Sequence, residues 1–253
     1  MPQYTIDVVT DTFRLLEAVG EHPGSRLPEL AQRTTLTKTK AFRILRTLET
    51  SGYIVQDSAQ TFYLHQKSYL LGQQAKGQWN LARITKPYMD ELAQETQENV
   101  HLVVRDGLSS VVVDLRQSTH PIRMYAEIGR RGPLHAGGTP KVLLAYAPDE
   151  VLNAVLSEAL QQFTEDTIVT KQHLLSTLER IRHDGFHVAV GDLDVDAFSV
   201  AAAITGAKGA VIAALSVAGP SMRLNAELEQ RYISLVRAAS SGISNRLAGS
   251  QSD

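Results

Sequence analysis

Four cations and no anion lie between residues 37 and 47, where the chain has the pattern of an amphipathic helix. At 100° per residue, the arc opposite an apolar stripe carries Thr39, Lys40, Arg43 and Arg46, and Lys38 lies near the edge of the stripe. Lys and Arg bind phosphate oxygens, and Thr and Lys can reach base edges in the DNA major groove. This face predicts contact with DNA, and a solvated surface helix is the alternative. The candidate residues are Lys38, Thr39, Lys40, Arg43 and Arg46.

A glycine-rich run at 132–140, GPLHAGGTP, offers a second kind of chemistry. Two glycines lead into a predicted helix, and Pro140 lies in its first turn. Free backbone N–H groups near residues 136–139, at the positive end of a helix dipole, would bind a carboxylate or another oxyanion. A turn that needs glycine only for packing is the alternative.

Composition and motifs limit the remaining possibilities. The 253 residues carry a formal net charge of −2 and include no cysteine, which excludes disulfides, thiolate metal sites and a cysteine nucleophile. The chain has no HExxH, GxSxG, P-loop or GxGxxG motif, so we predict no catalytic residue, metal site or cofactor. An enzyme with a Ser or His nucleophile in a C-terminal pocket is the rival class. The first residues have no basic or apolar signal region, so a cytoplasmic protein is expected.

The apolar segment 200–219 has the length of a membrane span. The Gly206–Gly209 break divides it into two short runs rich in Val, Ile and Ala. Each run is too short to cross a bilayer. The segment is therefore predicted to be two buried strands joined by a hairpin, and no membrane partner is expected.

The N-terminal third has the element order of a winged helix-turn-helix. A first helix is predicted at 4–20, a short helix at 28–35, and the cationic helix begins after Thr37 as N-cap and ends at Gly52. Short extended runs at 53–56 and 61–65 follow as a hairpin. This order favours DNA, while a winged helix used for protein contacts remains the alternative. The inner stripe of the first helix is predicted to be Ile6, Val9, Phe13 and Leu16.

The rest of the chain predicts an α+β domain with helices flanking a mixed or antiparallel sheet. Two helices at 67–78 and 80–97 precede it. Strands are predicted at 100–105, 110–116, 122–128, 186–190, 200–205 and 210–217. Helices are predicted at 139–146, 149–161, 171–184 and 225–247.

With these elements in place, the chain resembles the IclR family of bacterial transcriptional regulators over nearly its whole length. The segments that carry the resemblance are LPELAQRTTLTKTKAFRILRTLETSGYI, YLLGQQ, ARITKPYMDELAQETQENVHLVVRDG, GRRGPLHAGGTPKVLLAY, GDLD followed by VAAAI, and ALSVAGP. The resemblance implies a winged helix-turn-helix DNA-binding domain at 1–66, a linker helix at 67–79 and a GAF-like effector-binding domain at 80–248. A flexible tail is expected at 249–253.

The resemblance also implies partners. They are a double-stranded DNA operator with pseudo-palindromic symmetry, a small-molecule effector such as a carboxylate or aromatic acid, and further copies of the chain in a homodimer or homotetramer. Arg123, Arg130 and Arg131 could pair with an acidic effector. Thr35 stands where the turn between the two helices often has Gly in the family. The wing lacks the Arg that is often found there.

The resemblance carries over two sets of site residues. It places Lys38, Thr39, Lys40 and Arg43 in the N-terminal part of the DNA-recognition helix. For the pocket it leaves open whether Asp192 or Asp194 faces the ligand. The implied effector-binding residues are Leu134, His135, Ala136, Gly137, Gly138, Asp192, Ser199 and Ser216.

Overall fold

The computed structural model describes residues 4–206 and 209–249, without the side chains at positions 76 and 77. The chain divides into an N-terminal unit that ends at Asn80 and a C-terminal unit that begins at Leu81. Ala207 and Lys208, in the turn of the predicted hairpin, lie outside the described residues. So do positions 250–253 of the predicted tail.

The N-terminal unit contains four helices and three short strands among its described residues. Its strands form one antiparallel sheet in the order β1, β3, β2. The elements are α1 (Asp7–Glu21), β1 (Ser25–Arg26), α2 (Leu27–Arg33), α3 (Lys38–Thr50), β2 (Ile54–Gln56), β3 (Thr61–Leu64) and α4 (Gln66–Gln78).

Helix α3 begins and ends where its sequence predicts. The Thr37 hydroxyl accepts a hydrogen bond from the Lys40 backbone N–H at 3.3 Å, which is an N-cap. After the helix, Gly52 has φ +81°, a conformation that glycine adopts without steric cost. The predicted apolar stripe of α3 is buried in the core of the unit and consists of Ala41, Ile44, Leu45 and Leu48.

The predicted inner face of α1 is wrong for three of its four residues, whereas the fourth, Leu16, is partly buried against the core of the unit. Ile6, Val9 and Phe13 are 64%, 46% and 58% exposed. The face that packs against α2 and α3 is formed by Leu15, Ala18 and Val19 toward the C-terminal half of the helix. Helix α1 therefore has two apolar faces, and periodicity alone could not tell which of them is buried inside the unit.

The C-terminal unit is an α+β structure around one six-stranded sheet. Its elements are α5 (Asn80–Thr96), β4 (Asn99–Asp106), β5 (Ser109–Arg116), β6 (Arg131–Pro133), α6 (Gly138–Ala145), α7 (Asp149–Ser157), α8 (Lys171–Asp184), β7 (Phe186–Val190), β8 (Ala197–Thr205), β9 (Val211–Pro220) and α9 (Ala226–Gly249). The strand order is β6-β5-β4-β9-β8-β7, and every pairing is antiparallel.

Side chains that alternate along the strands build two cores, one on each face of the sheet. On one face, Val200 and Val217 pack against α5 and α9. On the other face, Ala201 and Ala214 pack against α6 and α8. The second face carries the cavity described below.

Two predictions in this unit are wrong: one assigned a strand where the chain forms a loop, and the other made a helix too long. Residues 122–128 form a loop, and the strand beside β5 is β6, which the sequence did not indicate. The helix predicted at 149–161 ends at Ser157. The apolar segment 200–219 forms β8 and β9, as the hairpin prediction requires. Among the described residues, no helix is long and apolar enough to cross a membrane.

Candidate nucleic-acid interface and ligand cavity

The solvent face of α3 carries most of the predicted DNA-contacting side chains. Thr39, Arg43 and Arg46 are exposed there, on the side opposite the core stripe, and Lys38 is exposed nearer the edge of that stripe. A groove runs beside this face between α1 and α3. Its lining includes Val8 and Thr12 of α1, and Thr37, Thr39, Lys40, Arg43 and Thr47 of the α3 region.

Lys40 differs from its neighbours because its ammonium group forms an ion pair with Asp11 of α1. The Asp11 side chain is 10% exposed, whereas that of Lys40 is 43% exposed. The pair joins α1 to α3 and offsets the cost of burying the carboxylate. Lys40 therefore has a structural partner in addition to any contact with DNA.

Arg46 also has a partner, since its Nη1 lies 2.5 Å from Glu49 Oε2 one turn along the helix. Both groups are at the surface, where such pairs contribute little net free energy. Lys38, Thr39 and Arg43 are thus the predicted residues whose side chains have no hydrogen bond or ion pair within the described part of the chain.

The turn between α2 and α3 is tight. Thr35 has φ +57°, the left-handed region that a β-branched residue rarely adopts. The Leu36 backbone N–H donates to the Ala31 carbonyl at 2.9 Å, which closes the turn. Glycine would adopt this backbone conformation without the steric cost that threonine bears.

The wing, which we define as β2, β3 and the turn 57–60, carries a negative charge near its tip. The Thr61 backbone N–H and hydroxyl both donate to the Asp57 carboxylate at 2.8 Å. These hydrogen bonds hold the pKa of Asp57 below its usual value. The wing turn therefore keeps its carboxylate ionised and adds no cation to the DNA-facing surface.

A cavity of about 120 Å³ lies in the C-terminal unit. Its floor is the sheet face that also carries Ala201. The floor residues His101, Ser199 and Ser216 lie on this face because they alternate along their strands with residues that point to the opposite face, toward α5 and α9. Apolar groups such as Val103, Val112 and Phe198 complete much of the wall. The start of α6 and the loop 192–194 close another side.

The start of α6 packs directly on the cavity floor. A Cβ atom on Gly138 would lie 2.5 Å from Ser199 Oγ and 3.0 Å from its carbonyl oxygen. Gly137 has φ +90° and precedes the helix as its N-cap residue. Glycine is therefore required at both positions, at one by close approach and at the other by backbone conformation.

The predicted anion site at this helix start already holds a carboxylate of the chain itself. The Gly137 backbone N–H donates to both Asp192 carboxylate oxygens at 3.1 Å, and Lys141 Nζ forms an ion pair with the same carboxylate. Both side chains are buried. Asp192 thus neutralises the buried lysine and caps the helix.

Of the predicted effector-binding set, Gly137, Gly138, Asp192, Ser199 and Ser216 line the cavity. Leu134, His135 and Ala136 of that set are buried and do not line it. His135 Nε2 lies 2.9 Å from the Gln161 carbonyl oxygen, so this ring is engaged behind the cavity wall. Asp192 and Asp194 both line the cavity, so the alternative between them does not apply.

The sequence-based effector set omitted one cavity group, the imidazole of His101, and left a second, the carboxylate of Asp194, as an alternative to Asp192. Burial, together with the Arg130 guanidinium, lowers the pKa of His101 to about 4, so its ring is neutral at pH 7. Arg130 Nη2 donates to both carboxylate oxygens of Asp194, at 2.9 and 3.1 Å. The position of His101 in a predicted strand was the signal that could have indicated it. The pairing of Asp194 with Arg130 had no such signal, because the two residues are 64 positions apart in the sequence.

A winged helix-turn-helix with an exposed cationic recognition helix, together with a cavity-bearing α+β unit, defines a DNA-binding transcriptional regulator with an effector domain. Two family descriptions match this chain: "IclR helix-turn-helix domain" over residues 8–58, and "Bacterial transcriptional regulator IclR C-terminal" over residues 73–245. The chain belongs to the IclR family of bacterial transcriptional regulators, and not to a class of enzymes.

Individual relatives agree with this assignment. The chain is 31% identical over 245 residues to the HTH-type transcriptional regulator KdgR of Escherichia coli K12, covering 96% of this chain and 93% of KdgR. Its fold is similar to that of an IclR regulator from Alicyclobacillus acidocaldarius, with a TM-score of 0.87, 21% identity and coverage of 96% and 99% of the two chains. An IclR homologue from Microbacterium hydrocarbonoxydans, solved in complex with 4-hydroxybenzoate, gives a TM-score of 0.81, 22% identity and coverage of 96% and 99%.

Proposed function

We propose that this protein binds a specific DNA operator and that a small metabolite in the C-terminal cavity changes its affinity for that operator. The observation that carries the proposal is the exposed face of α3, where Thr39 and Arg43 lie beside a groove and opposite the core stripe. In this proposal Lys38, Lys40, Arg43 and Arg46 contact phosphates, and Thr39 and Lys40 reach base edges.

The size and lining of the cavity support a compact effector. An engineered cavity of roughly 150 Å³ can hold benzene, so about 120 Å³ suits a ligand of similar size. Hydroxyl groups of Ser199 and Ser216 and the neutral His101 would bind its polar atoms, while Val103 and Val112 contact its apolar part. The 4-hydroxybenzoate complex of the Microbacterium homologue is consistent with a small aromatic acid.

We further propose that the protein acts in the cytoplasm as a homodimer or homotetramer. Pairing of two N-terminal units would present two copies of α3 to successive major grooves, which requires an operator with pseudo-twofold symmetry. The exposed stripe of α1 supports a contact between copies and is considered in the Discussion.

The first test is to select duplexes from a random pool and to measure binding to the selected sequence across a range of salt concentrations. Arg43→Ala should weaken binding. It should also reduce the magnitude of the slope of the logarithm of the binding constant against the logarithm of the salt concentration by about 1 for each bound N-terminal unit, because one phosphate contact is lost. Arg105→Ala, in the C-terminal unit, is the matched control and should leave the slope unchanged. Failure to select any sequence would overturn the proposal and favour a winged helix used for protein contacts.

The second test is a thermal-shift screen of small carboxylates and aromatic acids on the full chain. A ligand at 100 times its dissociation constant should add roughly 2.7 kcal/mol to the free energy of unfolding. Each ligand that stabilises the protein should also change its affinity for the selected duplex. A stabilising ligand without any effect on DNA binding would contradict the effector role of the cavity.

A further inference from the structure

The cavity lining contains two arginines among the described residues, and each is paired in a different way. Arg131 Nη2 lies 2.5 Å from Asp106 Oδ2, and Asp106 does not line the cavity. Arg130 binds Asp194 through both carboxylate oxygens, and both of these residues line the cavity. The Arg130 side chain is 38% exposed and that of Asp194 is 40% exposed.

The loop that carries Asp194 is fixed at its two ends and exposed near its middle. At one end, the Asp192 carbonyl accepts a hydrogen bond from the Thr167 hydroxyl at 2.7 Å. At the other end, the Asp196 carbonyl accepts one from the Ser221 backbone N–H at 2.7 Å. Between them, Val195 is 68% exposed. The Asp194 side chain can therefore turn toward solvent while both ends of the loop keep their contacts.

The two aspartates differ in how readily each can be replaced. Asp192 is buried against Lys141, and removing it would leave a buried ammonium group without its counterion. Asp194 is partly solvated already, and a surface pair of this kind contributes little net stability. An incoming carboxylate can take the place of Asp194 on Arg130, but it cannot take the place of Asp192 at the α6 N-terminus.

We propose that Arg130 is the anion-binding residue of the cavity and that the carboxylate of the effector replaces Asp194 on it. This rests on the proposed function of the cavity. The guanidinium binds two carboxylate oxygens side by side, so the incoming group keeps the same geometry. Asp194 then becomes solvated, and the 192–196 loop loses its ion pair with Arg130.

The lining also defines the class of acid. Glu127 lines the cavity near Arg130 and accepts a hydrogen bond from the Tyr125 hydroxyl, so a second negative charge lies at this end. A ligand with one carboxylate fits this arrangement better than a dianion, because only one anion is exchanged. The body of the acid would extend over the apolar wall toward neutral His101. The predicted effector is a compact monocarboxylate with an apolar body.

Calorimetric titration of the full chain with charged and neutral ligands of matched shape tests this proposal. The probes are benzoate and propionate, with benzamide and propionamide as their neutral counterparts. Arg130→Gln should raise the dissociation constant of the bound acid about tenfold, the scale of one lost charge-assisted pair. Asp194→Asn should lower it by a smaller factor, up to about fivefold, because the competing carboxylate is gone but the surface pair that it formed was weak. Neither change should alter binding of the amides by more than about twofold.

Arg131→Gln is the matched control, since it removes the neighbouring cavity arginine and should leave the affinity for the acids unchanged. Melting curves of each variant establish that it is folded. The proposal is overturned if Arg130→Gln binds the acids as well as the unmodified chain, if Arg131→Gln causes the loss instead, or if no acid binds to Asp194→Asn.

Failure here is distinguishable from failure of the proposed function. Binding of the amides with no dependence on Arg130 would retain the cavity as an effector site and reject the anion exchange. Selection of a specific duplex by the Arg130→Gln variant would show that the DNA-binding activity stands independently. If the unmodified chain selects no specific duplex, the proposed function itself is rejected.

Discussion

Charged residues that the sequence assigns to partners are in several cases engaged inside the protein. Asp192 binds Lys141 and the Gly137 backbone N–H, and Lys40 binds Asp11. A buried charge needs a counterion because desolvation would otherwise destabilise the fold by several kcal/mol. The sequence shows which charges are present, but the pairing depends on tertiary structure.

Two buried histidines should make the C-terminal unit sensitive to acid. Burial lowers the pKa of His101 to about 4 and that of His187 to about 3, and the charges of Lys141 and Arg180 add to the effect at His187. The unfolded chain takes up protons below about pH 6.5, whereas the folded chain does not until the lower pKa is reached. This contribution to stability is complete above pH 6.5 and is lost as the pH falls toward 4.

Replacing His187 tests this origin of acid sensitivity. Its Nε2 is buried without a hydrogen-bond partner among the described residues, so His187→Leu removes an unsatisfied polar atom as well as the titrating group. Between pH 7 and pH 5, the free energy of unfolding of the variant should fall by roughly 1–2 kcal/mol less than that of the unmodified chain. Urea unfolding followed by circular dichroism at the two pH values measures this difference. His183→Leu alters an exposed ring and should leave the loss unchanged. An equal loss in His187→Leu and the unmodified chain would contradict this account.

Thr35 provides a prediction about backbone conformation. Its φ of +57° places a β-branched side chain in the left-handed region, which costs about 1–2 kcal/mol for an L-residue. Thr35→Gly should therefore raise the free energy of unfolding of the N-terminal unit by about 1 kcal/mol, after allowance for the greater freedom of glycine in the unfolded chain. Thr35→Ala keeps a Cβ atom and should gain less.

Fluorescence of Trp79, the single tryptophan of the chain, measures this effect, because that residue lies in the N-terminal unit. Urea midpoints of the two variants and the unmodified chain give the comparison. If Thr35→Gly has the same midpoint as Thr35→Ala, the positive φ is not a source of strain.

At the scale of elements, the ion pair between Asp11 and Lys40 connects α1 to the recognition helix. Lys40→Ala removes the nearer cation from a carboxylate that is 10% exposed, and leaves Arg14, whose Nη1 lies 3.7 Å from Asp11 Oδ1, as its remaining described partner. We expect a loss of roughly 1–3 kcal/mol in the free energy of unfolding of the N-terminal unit. Lys38→Ala, on the exposed side of the same helix, should change it by less than about 0.5 kcal/mol. Urea titration followed by Trp79 fluorescence compares them, and equal losses would show that the ion pair has no structural role.

Helices and strands were predictable where a single pattern fixed their buried face. The amphipathic repeat at 171–184 and the β run at 186–190 form α8 and β7 with the predicted bounds. The loop 122–128 has the alternation of a strand, but it pairs with no strand in the described part of the chain, whereas β6 is three residues long and pairs with β5. A strand is defined by its hydrogen-bonded neighbour, and sequence alternation does not supply that neighbour.

The candidate sites show the same limit. Glycine at 137 and 138 indicated the start of α6 and the cavity wall, because close approach and positive φ leave a local signature. Lys141 gave no such signature, since a lysine three residues later in an apolar helix predicts a solvated charge. Its pairing with Asp192, 51 positions away, required the fold.

At the scale of the whole molecule, the exposed apolar stripe of α1 indicates how copies of the chain would associate. Ile6, Val9 and Phe13 follow the spacing i, i+3 and i+7, so they form a continuous row on one side of the helix. A row of large exposed apolar side chains is typical of an interaction surface. Two copies related by a twofold axis would bury the row against itself and pair the recognition helices for a symmetric operator.

Phe13→Asp tests this association by placing a charge at the C-terminal end of the stripe. We expect sedimentation velocity at micromolar concentration to show a lower mass for the variant, and the selected duplex to bind it more weakly because two half-sites are no longer occupied together. Leu108→Asp changes an exposed leucine in the turn between β4 and β5 and should leave the mass and the affinity unchanged. A Phe13→Asp protein that keeps the mass of the unmodified chain would assign its assembly to the C-terminal unit, because the α1 stripe could not then be the contact that holds the copies together.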